Sequence, residues 1–404
     1  MVQTRRDFLK GAFGASALVS LGPVVPNFLA RAAAAASARV TNDRVLVVLQ
    51  LTGGNDGLNT VVPYTDDEYA RNRPTLRLPT SELHKIDSSL AFHPRMGAFL
   101  RLYEEGCLSI VQGVGYANPD QSHERAMRIW HTADPERPER QTGWLGRAVD
   151  AGRSSVRTDT AAVFVGRISR PFGLNAENAV VPAIKSADDL VLRSTFPSPT
   201  SQAAASSENP LLRFVRQATV DARAMSRRIE KTAASDDYPS LGLAGDLRTV
   251  ARLTRADVGI RIFFVELGGG GIGGFDNHAN QLGNHCALLG QLAESVGAFV
   301  DDLKRAGLLD RVLLMTFSEF GRTVAENGRR GTGHGAAAPV FLVGSKVKGG
   351  LVGPHPSLTH LEKGSLKFHT DFRQVYATML ACWLSLDSTA VLGRHFEPLD
   401  VLET

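Results

Sequence analysis

Six stretches of the chain share one pattern: a continuous apolar run of strand length, without polar alternation, that stops at a cluster of Gly, Ser, Asn or Asp. Arg44–Leu51 stops at Thr52-Gly53-Gly54-Asn55-Asp56-Gly57, and Leu108–Gly115 follows a helical stretch from Met96 to Gly106. Thr160–Val165 precedes Gly166, and Ile260–Leu267 precedes a glycine-rich loop. Arg311–Phe317 precedes Ser318-Glu319-Phe320-Gly321, and Pro339–Gly344 follows Gly333-His334-Gly335. Runs of this kind suit strands covered on both faces, as in parallel sheets flanked by helices. Helical spacing fills the intervals. Asn280–Ala306 carries Leu288, Leu289, Leu292, Val296, Phe299 and Leu303 on one face and ends at Gly307, and Phe372–Leu384 closes the chain in the same way. Strands alternating with helices predict an α/β fold with a mostly parallel, doubly wound sheet. Residues from about 186 to 240 break the pattern, with Ser/Ala-rich loops around a charged helix from Pro210 to Ala234, and read as a small insertion or cap. No internal repeat is visible.

The N-terminus is of another kind. Thr4-Arg5-Arg6-Asp7-Phe8-Leu9-Lys10 has the form of a twin-arginine (Tat) export motif, followed by a mild apolar stretch and an Ala-rich tract ending near Ala38. The expectation is a cleaved leader over residues 1–38, a partnership with the Tat translocase during export, and one domain over 39–404 in the periplasm or outside the cell. Leader residues Arg5, Arg6, Lys10 and Arg31 account for most of the formal charge of +4. The mature chain is therefore near neutral, and nucleic acid is not an expected partner. No second apolar run is long enough to span a bilayer. Cys107, Cys286 and Cys382 form no CxxC pattern and read as packed thiols rather than a disulfide framework.

The acids and histidines then fall where chemistry is expected, since ligands of open parallel sheets bind at the carboxyl ends of the strands. Asp56 lies past the first strand, Asp276 and His278 past Leu267, and Glu319 two residues past Phe317. Ser122 and His123 lie in a loop before a helix. His334 is the exception in direction, because it precedes a strand. Carboxylates held close together repel unless a cation joins them. Mixed carboxylate and imidazole donors suit zinc, manganese or iron better than magnesium. Gly269-x-Gly271-x-x-Gly274 matches a dinucleotide fingerprint, but Phe275-Asp276-Asn277-His278 follows it instead of an apolar helical turn. That loop reads as a hinge that delivers Asp276 and His278. Each residue also has a plainer reading. Asp56 can shape a turn, Asp276 can cap a helix, Ser122 can cap the helix after it, and Arg322 can form an ion pair as readily as clamp an anion.

Gly53–Asn59, Ser122-His123, Gly274–His278, Ser318–Thr323, Gly331–Gly335 and Thr370-Asp371-Phe372-Arg373, in that order behind a Tat leader, resemble the bacterial exported family known as domain of unknown function 1501. That family resembles the alkaline phosphatase and sulfatase superfamily, which implies that fold and metal-dependent hydrolysis of phosphate or sulfate esters. The resemblance implies metal ligands at Asp56, Asp276, His278, Glu319 and His334, holding one or two divalent ions. It sets Ser122, His123 and Arg322 as catalytic candidates acting on an anionic ester. The chain departs from the superfamily pattern at Phe275 for a tryptophan, at Gly333 for an aspartate and at Phe320 for a histidine. The nucleophile is the weakest match, with Ser122 the only hydroxyl in Asn118–His123. The alternative is a non-catalytic envelope binding or assembly protein that keeps the fold and a structural metal.

Overall fold

The computed structural model describes Leu29 and residues 43–153, 161–192, 210–269 and 274–403. The expected leader, Leu29 apart, and residues 270–273 of the glycine-rich loop lie outside the described residues. The central sheet is built from β1 (Val45–Leu51), β2 (Leu108–Gly115), β3 (Ala161–Val165), β4 (Ala183–Ile184) and β5 (Ile260–Leu267). It is completed by β6 (Val312–Phe317), β7 (Ala338–Val343), β8 (Gly350–Val352) and β9 (Thr370–Asp371). The nine strands run in the order β8-β2-β7-β6-β1-β5-β3-β4, with β9 also pairing β2. Every pairing is parallel except those of β7, which is antiparallel to both β2 and β6. The expected mostly parallel, doubly wound sheet is what the chain forms.

The unbroken apolar runs have a direct structural cause. Along β1, Val45, Val47, Leu49 and Leu51 enter one core while Leu46 and Val48 enter the other. Phe263 and Val265 of β5 face the first core, and Ile262 and Phe264 the second. A strand with an apolar core on each side has no position left for a polar side chain. Residues of α1 (Gly97–Glu104), α4 (Pro210–Lys231), α5 (Gly242–Arg255) and α6 (Gln281–Arg305) fill the first core. Residues of α2 (His123–Thr132), α3 (Trp144–Arg153) and α7 (Phe372–Ala377) fill the second. Helix α6 matches the expected element closely. The expected Phe372–Leu384 helix changes character part-way, since α7 passes into a π-helix over Thr378–Trp383. Within the predicted insertion, α4 buries Ala222, Met225 and Ile229 in the first core. No helix among the described residues is long and apolar enough to cross a membrane.

The antiparallel course of β7 explains the directional exception. Its N-terminal end lies at the carboxyl edge of β2, β6 and β1, so the segment that leads into β7 meets the segments that leave its neighbours. His334 reaches that edge from the opposite direction.

Three buried imidazoles bear on stability. Burial is the leading cause that holds His93 and His131 at about 3 and His285 at about 4. Their folded pKa values lie below the unfolded value of about 6.5, so each contributes stability that is complete above about pH 6.5 and is lost as the pH falls. The loss is up to about 1.4 kcal/mol per pH unit for each imidazole. Thermal melts with chelator present should show Tm falling from pH 7 to pH 4.5. His131→Gln keeps a donor for Gln50 Oε1, which His131 Nε2 meets at 2.7 Å, and should flatten that fall. An unchanged slope in the variant would contradict the assignment.

Candidate metal centre

At the carboxyl edge the turn after β1 requires backbone that only glycine supplies cheaply. Gly53 and Gly54 have φ of +112° and +77°. A Cβ on Gly53 would lie 2.5 Å from the Asp276 amide nitrogen, and one on Gly54 would lie 2.4 Å from the Phe320 ring. This close approach brings the Asp276 loop and the Ser318–Phe320 turn against β1. A hairpin formed by Arg322–Glu326 and Thr332–His334 closes the edge, with Arg322 opposite His334.

Three imidazoles converge there on one carboxylate oxygen. Asp276 Oδ1 lies 2.9 Å from His278 Nε2 and 3.2 Å from both His123 Nε2 and His334 Nε2. The potential ligand atoms of His123, Asp276 and His334 all lie within 4.8 Å of one another. Each imidazole is oriented from behind. His278 Nδ1–H donates to the Thr332 carbonyl at 2.9 Å, and His334 Nδ1–H to the Gln121 carbonyl at 2.6 Å. His123 Nδ1–H donates to Glu319 Oε1 at 2.8 Å. A carbonyl or carboxylate can only accept, so with each Nδ1 donating, each Nε2 beside the Asp276 carboxylate either binds a second proton or turns its lone pair to a cation.

Those lone pairs need a positive partner. His278 Nε2 and His334 Nε2 stand 2.9 Å apart, a separation at which two acceptors repel unless a proton or a cation lies between them. The Nε2 of His123 is buried and finds no aligned hydrogen-bond donor or acceptor, although Asp276 is near. Burial would raise the Asp276 carboxyl. The hydrogen bond and charge of Arg322, joined by His123 and His278, outweigh it and hold the group at about 2. The bond from Glu319 is the chief cause that raises His123, with burial opposing it. Burial leads in lowering His334, against the Gln121 carbonyl. Imidazoles whose second nitrogen is bound to a carbonyl or carboxylate, gathered on an ionised aspartate, are the usual arrangement of a transition-metal site. The residues present fit a divalent ion.

Residues 110–397 match the family described as "Protein of unknown function (DUF1501)". The chain belongs to this family. No curated protein matches it. Among solved structures, it is similar to the lipoteichoic acid synthase LtaP of Listeria monocytogenes, at 10% identity over 90% of this chain and 75% of that chain, TM-score 0.39. It is similar to the zinc complex of the periplasmic domain of EcEptC from Escherichia coli, at 12% identity over 76% and 74%, TM-score 0.36. It is also similar to the PsFucS1 sulfatase of a Pseudoalteromonas species, at 11% identity over 91% and 74%, TM-score 0.39. At these scores the likeness fixes no residue correspondence.

In this member of the family the expected site residues do not all fall together. The structure brings Asp276, His278 and His334 together, and adds His123, expected as a catalytic group, as a fourth potential ligand. It does not bring Asp56 to them. Arg73, itself fully buried, holds both Asp56 oxygens at 2.6 and 3.0 Å, and Gln281 Nε2 donates to Oδ2 as well. Burial acts to raise Asp56, but the charge and hydrogen bonds of Arg73, with His285 and Gln281, leave it lowered. Arg322 cannot clamp an incoming anion, because its buried guanidinium donates to the carbonyls of Gly53, Gly54, Phe275 and Thr332 and to Asp276. Ser122 stands exposed before α2 with no capping bond and lines a cavity with Arg125, Arg128 and Phe172. Glu319 is in place, one bond behind His123. Sequence reasoning missed the orienting carbonyls of Thr332 and Gln121, since every residue carries one and none leaves a signal.

Asp56→Asn should destabilise the fold by about 3–5 kcal/mol, the cost of breaking a buried ion pair from one side, while metal content stays at the wild-type level. Loss of metal with unchanged Tm would reverse the assignment of Asp56.

Proposed function

We propose that the chain is an exported hydrolase of phosphate or sulfate esters that depends on one divalent ion held by His123, Asp276, His278 and His334. The observation that supports it is the set of three Nε2 lone pairs, each fixed from behind, that meet at one ionised carboxylate oxygen. Three imidazoles and a carboxylate suit zinc, manganese or iron rather than magnesium. A bound divalent ion supplies Lewis acidity toward the ester oxygens and a nucleophile at neutral pH.

The residues of the chain itself do the positioning. The side chains of Asp276, His278, His123 and His334 remain 43%, 36%, 35% and 21% exposed, so the centre opens outward in a way that suits a substrate better than a sealed structural site does. The Phe320 ring stacks on His334 at 4.7 Å between centroids and lies 4.9 Å from His123. A cavity of about 260 Å³ runs between Asn118–Gln121 and Glu362–Phe368, and its wall includes Gln121, whose carbonyl orients His334. Lys363 and Lys367 share that wall with Asp120 and Glu362, so its charge is mixed. Water is the nucleophile in this reading. The ester class follows from the family resemblance, and the Thr4–Lys10 segment supports delivery by the Tat translocase.

The test is turnover of aryl phosphate and aryl sulfate by the mature, metal-loaded protein, with metal content measured on the same sample. Asp276→Ala and His278→Ala should each lose the ion and at least 100-fold in rate, roughly the scale of removing one transition-state stabilising group. A folded, metal-loaded protein inert toward both ester classes would move the reading to the binding or assembly module.

A further inference from the structure

We propose that Glu319 is a positioning residue rather than a ligand: its buried carboxylate locks His123 in the tautomer whose Nε2 lone pair faces the ion. This rests on the metal reading above. Glu319 is 1% exposed. The single Gly53 amide proton bridges the two Glu319 oxygens at 2.9 and 3.1 Å, and His123 Nδ1–H donates to Oε1 at 2.8 Å. Oε1 meets His123 on its Nδ1 side, and Glu319 is not among His123, Asp276 and His334, whose potential ligand atoms lie within 4.8 Å of one another. The site that holds Glu319 is itself fixed. Ser318 Oγ donates to the Leu51 carbonyl at 2.7 Å and accepts from the Asn55 amide at 2.9 Å, which fastens the Ser318–Glu319 turn to the end of β1. The carboxylate therefore has one mobile partner, the His123 ring.

A carboxylate behind a ligating imidazole sets its tautomer and raises its basicity, and removing such a partner typically weakens metal binding about 10–100-fold without removing a ligand. Glu319→Gln leaves an oxygen for the Gly53 amide and His123 but removes the charge. The experiment is a Co²⁺ titration of the mature protein, wild type, Glu319→Gln and His123→Ala, followed by the visible absorption bands of the bound ion. The expected result for Glu319→Gln is one equivalent of Co²⁺, the band positions of the wild type, and a Kd raised about 10–100-fold. A Kd within twofold of wild type would overturn the proposal. So would bands displaced as in His123→Ala, which would mark Glu319 as a ligand.

A second measurement needs no variant. ¹⁵N spectra of histidine-labelled, metal-free wild type at a pH where the ring is neutral should show His123 protonated at Nδ1, and an Nε2–H tautomer would overturn the assignment. If wild type binds no Co²⁺, the metal reading fails, and the tautomer alone still decides what Glu319 does.

Discussion

One buried cation holds the carboxyl edge together. Arg322 is inaccessible to solvent, and a guanidinium there is tolerable only if its donors are met. They are met by carbonyls of the turn after β1, by the Phe275 carbonyl and Asp276 carboxylate of the loop after β5, and by the Thr332 carbonyl of the hairpin. Segments far apart in sequence must therefore close on one side chain before its charge is satisfied. The same charge has a chemical effect. It keeps Asp276 ionised and opposes protonation of His334, so the residue that assembles the cluster also favours lone pairs and negative charge where a metal ion would sit.

The cluster joins two kinds of wall. Behind the imidazoles stand acceptors: a carboxylate for His123 and carbonyls for His278 and His334. Beside them stands Phe320. Its ring covers Gly54 and packs on two of the imidazoles. An aromatic ring at this point limits how the imidazoles can turn, while the imidazoles and Asp276 stay partly exposed. A bound ion would thus be held firmly on the protein side and left accessible on the other. Those are the requirements of a centre that acts on something arriving from solvent.

Much of the fold was legible in the sequence because its signal is local. The run Val45–Leu51 has no polar interruption because both its faces are buried, and that needs no knowledge of the rest of the chain. The carboxyl-edge placement of Asp276, His278 and Glu319 followed from the same strands. His334 was legible as an exception in direction, but how it reaches the edge was not, because the reversed direction of β7 is a property of sheet order. Nothing near Asp56 in sequence announces Arg73, which the structure pairs with it and holds against the Val324 carbonyl. The contact between Glu319 and His123 was not legible for a related reason. Position at a strand end brings a carboxylate near a site, but its hydrogen-bond partners decide whether it faces the ion or the ligand behind it.

The central claim is the convergence of three imidazoles and Asp276 on one ion. It is tested most directly by anomalous diffraction at the metal edge from crystals of the mature protein grown with zinc. The account predicts one peak bonded to Nε2 of His123, His278 and His334 and to Asp276, at about 2.0–2.2 Å, with Glu319 outside the coordination sphere. A peak on Asp56, or no peak at this edge in crystals saturated with zinc, would contradict it.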